Sequence, residues 1–303
     1  VPIIRAMRTG RPDARFTLVC KKEFVPLLKS IELADAFLEL PKKNILYLYN
    51  FKKAVKTIPE NYFLFTNSLR GDLEAYLSGS PQRFGMIMPG KRRPLLTHFY
   101  DPSGGFKVDV LNSHQTVVWE KMANRFGMKE NVFKNPVRLN GIKKLNSKIG
   151  IVAGSSNSPE KRWSRKNWIT LIQRLADFHN DLTFHLYGTN QDKAITHYIC
   201  NSLKSEKVFD HAGTTDLSEL PGELATCHLV LGNDTGSIHL ANMVGTSVVV
   251  LFGPTTAKKT KPFFNSKCLL LYSPNSSRID ELSPDQVYTK IQKEYETFPK
   301  LNK

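Results

Sequence analysis

The sequence has little cysteine and no long hydrophobic run. Its cysteines are widely spaced and form no CxxC pair, which argues against both a disulfide framework and a cysteine-bound metal site. No apolar stretch approaches the roughly 18 residues of a membrane-spanning helix, and no signal peptide is expected. The signatures GxGxxG and GxxxxGK[ST] are also absent, which argues against a dinucleotide-dependent dehydrogenase and a P-loop kinase. The four cysteines are Cys20, Cys200, Cys227 and Cys268.

Acidic residues are scarce relative to basic ones. Lys and Arg number 43 against 27 Asp and Glu, which gives a net charge of +16. This surplus favours a polyanionic partner, such as nucleic acid, an anionic lipid surface or a phosphorylated substrate, and does not choose among them. A length of 303 residues with 41% hydrophobic residues predicts a globular chain of two domains.

The chain begins with Val1 rather than with methionine. Apolar residues at helical spacing follow at once, and Gly10 and Pro12 end that helix before a strand near Cys20. A domain that starts inside a helix predicts an earlier strand and loop ahead of Val1.

Short apolar runs alternate with helical periodicity along the whole chain. In the first half, strands are predicted within 14–20, 44–49, 62–69 and 82–88, a long loop at 89–107, and a helix from His114 to Gly127. The polar, basic segment 129–148 predicts a linker, and strands and helices alternate again after it. The fold class is therefore α/β, with doubly wound parallel sheets in two domains, 1–138 and 139–303.

Polar loops follow four predicted strands of the second domain, and the carboxyl ends of such strands are where ligands bind. Asp234, Thr235 and Gly236 stand where a strand gives way to a helix, whose free N–H groups favour an anion, and His239 follows one turn later. Plain helix capping and a packed or solvated histidine are the alternatives. The loop at 154–163 contains Ser156, Asn157 and Lys161, which are typical of a phosphate-binding site or, alternatively, of a charged surface. Asn190 and Asp192 follow another strand, where they are interpreted either as ribose contacts or as part of an ordinary polar loop. Together the loops describe a nucleotide-diphosphate site.

Four stretches carry a family resemblance. "GNDTGSIHLANMVGTSVVVLFGPT" closely resembles the signature of glycosyltransferase family 9, the heptosyltransferase family, and "GSSNSPEKRW" with the Trp168 helix is similar to its second donor motif. "FTNSLRGDLEAYLSGSPQRFGM" resembles its N-terminal "NS-R" segment, and "HQTVVWEKM" the helix after it. The resemblance covers essentially the whole chain. It implies a GT-B fold, in which two Rossmann-like domains face a cleft, the C-terminal one binding donor and the N-terminal one acceptor.

The same resemblance implies the reaction and the roles of individual residues. The reaction is inverting, metal-independent transfer of a heptose from an ADP-sugar to the lipopolysaccharide inner core, without a cofactor. The turn Asp234-Thr235-Gly236 and His239 would hold the donor, with Ser156, Asn157, Asn190 and Asp192 beside it, and Lys161 would balance charge on the leaving diphosphate. Lys161 and Asp234 are therefore the catalytic candidates. The family's general base is an aspartate in a Gly-Asp loop that would precede Val1, so no base is assigned, and Asp13 and Asp72 have no supporting motif.

The N-terminal domain is expected to bind the acceptor. Asn67, Ser68 and Arg70 match the family segment. A basic group near the predicted loop suits a polyanionic lipid at the cytoplasmic face of the inner membrane, and an ordinary solvated surface is the alternative. That group consists of Arg83, Lys91, Arg92 and Arg93. A peripheral monomer with no nucleic-acid partner is expected. The alternatives are another GT-B transferase or epimerase, and a noncatalytic, basic nucleic-acid-binding protein, for which no RRM, KH, helix-turn-helix or zinc signature is present.

Overall fold

The computed structural model describes residues 1–88, 90–102, 113–155, 161–253, 257–274 and 278–294. The chain divides into two compact units, Val1–Phe133 and Lys134–Lys303, which are called unit 1 and unit 2. Within the described ranges, no helix is both long enough and apolar enough to span a membrane.

Unit 1 contains two small parallel sheets. Strand β1 (Thr17–Cys20) pairs with β2 (Ala36–Glu39), and β4 (Gln82–Met86) lies between β3 (Asn61–Phe63) and β5 (His98–Tyr100). The stacked rings of Phe63 and Phe84, with centroids 4.6 Å apart, join β3 to β4. The helices are α1 (Pro2–Gly10), α2 (Val25–Ser30), α3 (Tyr47–Ala54), α4 (Leu69–Leu77) and α5 (Gln115–Arg125).

Two predictions for unit 1 were wrong. The run 44–49, predicted as a strand, leads into α3, because the side chains that become buried are Tyr47 and Phe51, four residues apart on one helical face. The stretch predicted as a loop at 89–107 contains β5, a three-residue strand whose residues alternate too briefly to give a periodic signal. Helices α1 and α5 form where the apolar spacing predicted them.

Unit 2 contains one sheet of six parallel strands. Its order is β11-β10-β9-β6-β7-β8, which is the order of a doubly wound sheet. The direction of the strand order reverses between β6 and β9. The strands are β6 (Leu145–Val152), β7 (Thr183–Leu186), β8 (Val208–Asp210), β9 (Cys227–Asn233), β10 (Ser247–Phe252) and β11 (Cys268–Tyr272). The helices are α6 (Arg165–Phe178), α7 (Lys193–Leu203), α8 (Leu220–Thr226), α9 (Gly236–Met243), α10 (Ala257–Thr260) and α11 (Pro284–Glu294).

Helices cover both faces of this sheet. Alternate strand residues point to opposite faces, so Ile149 and Ile151 pack in one core with α6, α7 and α11, while Val152 and Val230 pack in another with α8 and α9. Helix α6 forms at the residues that its apolar spacing predicted, with Ser164 as its N-cap. The predicted doubly wound sheet is therefore present in unit 2.

Candidate functional site

The candidate site lies at the carboxyl ends of β6 and β9, where the strand order of unit 2 reverses. Val152 and Gly232 are register partners at the ends of these strands. A Cβ atom on Gly232 would lie 2.8 Å from the Cβ atom of Val152 and 3.0 Å from its carbonyl oxygen, so only glycine allows this approach. The loops after β6 and β9 consequently start side by side, at the position where doubly wound sheets bind ligands.

Two of the predicted residues converge on the carboxylate of a third. The Nζ atom of Lys161 lies 3.6 Å from Oδ2 of Asp234, and Nε2 of His239 lies 3.6 Å from Oδ1. The Asp234 side chain is 6% exposed, whereas Lys161 is 26% and His239 41% exposed. The Thr260 hydroxyl also donates to Asp234, over 3.5 Å. The carboxylate thus holds two cationic or ionisable groups whose outer atoms still reach solvent.

Helix α9 begins at this carboxylate. Its N-cap is Thr235, which has extended backbone angles (φ −139°, ψ 167°), and its side chain does not cap the helix. The Thr235 hydroxyl oxygen is buried, and among the described residues it has no hydrogen-bond partner. Gly236 is exposed, with open space beside its Cα atom. The start of α9 can therefore offer backbone N–H groups and its positive dipole end to an anion.

A buried asparagine that the motifs did not single out ties the two loops together. Nδ2 of Asn233 donates to the carbonyl oxygen of Ala153 over 2.8 Å, and its Oδ1 accepts from the backbone N–H of Trp163 over 3.3 Å. Trp163 is itself buried and donates from Nε1 to the carbonyl oxygen of Leu282 over 2.8 Å. These bonds fix the chain two residues after Lys161 against the end of β9. The only sequence signal for Asn233 is its position as a polar residue at the end of an apolar strand.

The rest of the loop after β6 is partly described. Arg162 donates from Nε to the carbonyl oxygen of Ser155 over 2.8 Å, and this hydrogen bond stabilises the loop. Ser156 and Asn157 lie outside the described residues.

Asn190 and Asp192 lie in the 3₁₀ turn that follows β7. Oδ2 of Asp192 accepts from the backbone N–H and the hydroxyl of Thr189, over 2.9 and 2.8 Å, in a capping box. A Cβ atom on Gly154 would lie 2.1 Å from Oδ1 of Asp192, so the carboxyl group rests against the loop after β6. Asn190 is exposed and lies over Gly213, whose φ of +68° requires glycine. Asp192 therefore adjoins the site, but it is buried and helps to cap the turn.

The three acceptor candidates lie together at the start of α4 in unit 1. Ser68 is the N-cap, and its hydroxyl accepts from the backbone N–H of Gly71 over 3.1 Å. Asn67 accepts from Nη1 of Arg93 over 3.1 Å, and Arg70 lies 3.5 Å from Glu74. Asn67, Ser68 and Arg70 are exposed, although each also contacts another residue of unit 1.

The predicted basic group does not form one exposed surface. Arg93 is buried and donates from Nε to Oδ1 of Asp72 over 3.0 Å and from Nη2 to the carbonyl oxygen of Thr66 over 3.0 Å. Arg83 donates to the carbonyl oxygens of Leu95 and Ser80, both over 2.6 Å. Only Lys91 and Arg92 remain exposed. An arginine fork satisfies several carbonyl groups at once, which explains why two of the four are structural.

An ionisable cluster lies where β6, β7 and β8 meet α8, and it comprises Lys148, His185, Tyr187, His211 and Glu223. Burial, together with the nearby Lys148, lowers the pKa of His185 to about 4 and lowers that of His211, and the facing ring nitrogens of the two histidines lie 2.9 Å apart. The hydrogen bond from Lys148, whose Nζ lies 2.8 Å from Oε2 of Glu223, lowers the pKa of that carboxyl group. The hydroxyl of Tyr187 donates to the same carboxylate over 3.1 Å, and burial raises the tyrosine pKa.

Curated proteins that match part of the chain include heptosyltransferases. A Lipooligosaccharide heptosyltransferase 2 of Campylobacter jejuni is 27% identical over 140 residues, which cover 46% of this chain and 43% of that protein. The chain therefore matches less than half the length of this curated relative.

Solved structures extend the similarity to nearly the whole chain. A glycosyl transferase family 9 protein from Veillonella parvula gives a TM-score of 0.81 at 16% identity, covering 96% of this chain and 91% of that one. The E. coli heptosyltransferase WaaC with ADP gives 0.79 at 14% identity, covering 96% and 94%. The predicted GT-B class of α/β fold is confirmed by this likeness.

The family assignment rests on a family model. The model described as Glycosyltransferase family 9 (heptosyltransferase) matches residues 113–292, which is more than half of the chain and includes the whole candidate site of unit 2. The chain therefore belongs to glycosyltransferase family 9, the heptosyltransferase family.

Proposed function

We propose that the chain transfers a heptose from an ADP-heptose donor to the inner core of lipopolysaccharide, with inversion and without a metal ion. Residues 139–303 bind the donor and residues 1–138 bind the acceptor. The observation that carries the proposal is the convergence of Lys161 and His239 on Asp234 at the start of α9. The family assignment and the ADP named with a structurally similar heptosyltransferase support the donor class.

The chemistry of the donor explains the need for this arrangement. An acceptor hydroxyl oxygen forms a bond to the anomeric carbon of the heptose, and the bond from that carbon to the diphosphate oxygen breaks on the opposite side. The electron pair leaves with ADP, so negative charge grows on the diphosphate. Backbone N–H groups and a fixed ammonium group stabilise such a charge without a metal. Lys161, Thr235 and Gly236 supply these groups, and Asp234 holds Lys161 and His239 in place.

No residue is assigned as the base that removes the acceptor proton. Asp72 is buried in its ion pair with Arg93, and Asp13 accepts from Arg11 over 3.0 Å, so both carboxylates already have cationic partners. Asn67, Ser68 and Arg70 are proposed to meet the acidic acceptor. The enzyme acts as a monomer, peripherally on the cytoplasmic face of the inner membrane.

The test combines nucleotide binding with turnover. We expect ADP to bind in calorimetry, UDP to bind more weakly and an RNA oligonucleotide not to compete, and we expect mass spectrometry to detect one added heptose on a truncated lipopolysaccharide core. Lys161→Ala should lower turnover about 100-fold, the typical cost of losing one group that stabilises developing charge. If the unmodified chain shows no turnover, the same variant should weaken ADP binding instead.

The matched control is Lys166→Ala, an exposed lysine in the first turn of α6. It should leave both ADP binding and turnover unchanged. Equal behaviour of the two variants would make Lys161 a surface lysine, and RNA binding without any response to ADP would replace the transferase proposal with the nucleic-acid alternative.

A further inference from the structure

Unit 1 exposes aliphatic and aromatic side chains at the start of α3. Ile45 is 100% exposed, Leu46 55% and Tyr49 66%. Lysines flank them on both sides, at 42 and 43 before the helix and at 52 and 53 in its last turns. This surface, called the α3 surface, comprises Lys42, Lys43, Ile45, Leu46, Tyr49, Lys52 and Lys53.

The other side of α3 packs against the rest of unit 1, so α3 is held in place and its exposed side has a defined direction. Tyr47 and Phe51 are buried, and the Tyr47 hydroxyl donates to Oε1 of Glu74 on α4 over 2.5 Å. Residues at 46, 49, 52 and 53 recur at helical spacing and share the opposite side. Apolar groups and cations therefore point away from unit 1 together.

Charge indicates the partner of this surface. Residues 40–59 include five lysines and no Asp or Glu. Lysines around exposed aliphatic and aromatic side chains are typical of helices that lie in the interface of an anionic membrane. A nucleic acid is disfavoured, because Ile45 and Leu46 are aliphatic and Tyr49 is the single aromatic ring of the α3 surface, whereas nucleic-acid sites stack successive bases on several rings.

The surface adjoins the acceptor candidates. The guanidinium group of Arg70 lies 5.6 Å from the centre of the Tyr47 ring, so the start of α4 borders α3 directly. A bilayer that contacts the α3 surface would bring a lipid-anchored acceptor close to Asn67, Ser68 and Arg70.

We propose that the α3 surface docks the protein on an anionic lipid bilayer, with Ile45, Leu46 and Tyr49 inserted among the headgroups and the four lysines on the phosphates. This inference deepens the proposed function, since it assigns the membrane contact of the same enzyme to named residues.

The test is flotation of the full chain with vesicles of phosphatidylcholine, alone or mixed with phosphatidylglycerol. We expect binding to the mixed vesicles only, and weaker binding at high salt. Lys52→Gln with Lys53→Gln should weaken partitioning more than tenfold, at about fivefold per lysine. Ile45→Ser with Leu46→Ser should release the protein as well, because the inserted apolar groups are lost.

Matched controls lie in unit 2. Lys290→Gln with Lys293→Gln removes the same charge from exposed positions of α11, and Ile142→Ser with Leu145→Ser removes an exposed Ile and Leu. Both should float like the unchanged protein. Equal loss in the controls, no binding to mixed vesicles, or RNA binding that the Lys52 and Lys53 changes abolish would overturn the proposal.

The readout separates the two proposals. Changes at the α3 surface should leave ADP affinity in calorimetry unchanged, and Lys161→Ala should float normally. Failure of vesicle binding with intact ADP binding thus counts against the docking surface alone.

Discussion

Asn233 joins the two loops of the candidate site, because its side chain bonds to Ala153 and Trp163, which lie before and after Lys161 in the chain. At the end of β9, Lys161 and His239 contact Asp234, the residue that follows Asn233. The motif contained Asn233 but gave no reason to choose it, because its role depends on Ala153 and Trp163, which are far from it in sequence. Long-range hydrogen bonds of this kind follow from packing and not from local pattern.

Asn233→Ala should impair donor binding by releasing the segment that carries Lys161. The carbonyl group of Ala153 and the N–H of Trp163 would lose their partners in a buried place, at a cost of about 1–3 kcal/mol in the free energy of unfolding. We expect ADP affinity in calorimetry to fall more than tenfold.

The control is Asn242→Ala, since Asn242 is also fully buried and accepts from the backbone N–H of Phe264 over 2.8 Å. It should lower stability by a similar amount without a specific loss of ADP affinity in the folded protein. If both variants lose ADP binding in step with stability, Asn233 has no positioning role.

Asp234→Ala should weaken nucleotide-sugar binding far more than it lowers stability. Lys161 and His239 would lose the carboxylate that holds them, yet both reach solvent, so the change in the free energy of unfolding should stay near 1 kcal/mol. Calorimetry with ADP and urea denaturation measure the two effects separately. Tighter ADP binding by the variant would mean that the carboxylate repels the diphosphate rather than organising the cations.

Among the helices and strands, the sequence was most informative where an amphipathic helix packs on a sheet. Helix α6 follows its pattern because Trp168, Leu171 and Leu175 all enter one core. Helix α3 does not, because Ile45, Leu46 and Tyr49 stay exposed and blur the difference between buried and outer positions. The short strand β5 and the burial of Arg93 were not predicted for a related reason, since both depend on partners supplied by other elements.

Arg93→Met should strongly destabilise unit 1. The change would leave Asp72 buried without its ion pair and remove the donors to Thr66 and Met86, which connect the end of β3, β4 and α4. Losing one partner of a buried pair costs about 3–5 kcal/mol. Urea denaturation should show the loss, whereas Arg92→Met, at an exposed neighbour, should change stability by less than about 0.5 kcal/mol. Similar midpoints for the two variants would contradict the structural role of Arg93.

For the chain as a unit, composition and the alternation of strands and helices were sufficient to predict the α/β class, and the long motif was sufficient to predict the family. Parallel strands bring residues such as Lys161 and Asp234, distant in sequence, to one edge of a sheet, so their proximity could be expected from topology. The net charge of +16 predicted an anionic partner but not the surface that binds it, because buried and paired arginines contribute to the net charge as much as exposed lysines do.

The ionisable cluster where β6, β7 and β8 meet α8 makes the stability of the protein depend on pH. His185 has a pKa near 4 in the folded chain, against roughly 6.5 when unfolded, and the pKa of its neighbour His211 is lowered too. The unfolded state therefore binds more protons between these values, so stability should fall as the pH decreases from about 7 to about 4. The lowered pKa of Glu223 acts in the same direction.

His185→Phe tests this origin. The phenyl ring can keep the stacking on Phe209, whose ring centre lies 4.8 Å from that of His185, but cannot bind a proton. Because His185 is only partly buried, we expect it to account for a loss on the order of 1 kcal/mol at low pH, and the variant should show a flatter profile in urea denaturation across this range. His197→Phe, at an exposed position of α7, should retain the slope of the unchanged protein. A profile for His185→Phe as steep as that of the His197 control would place the pH dependence elsewhere in the chain.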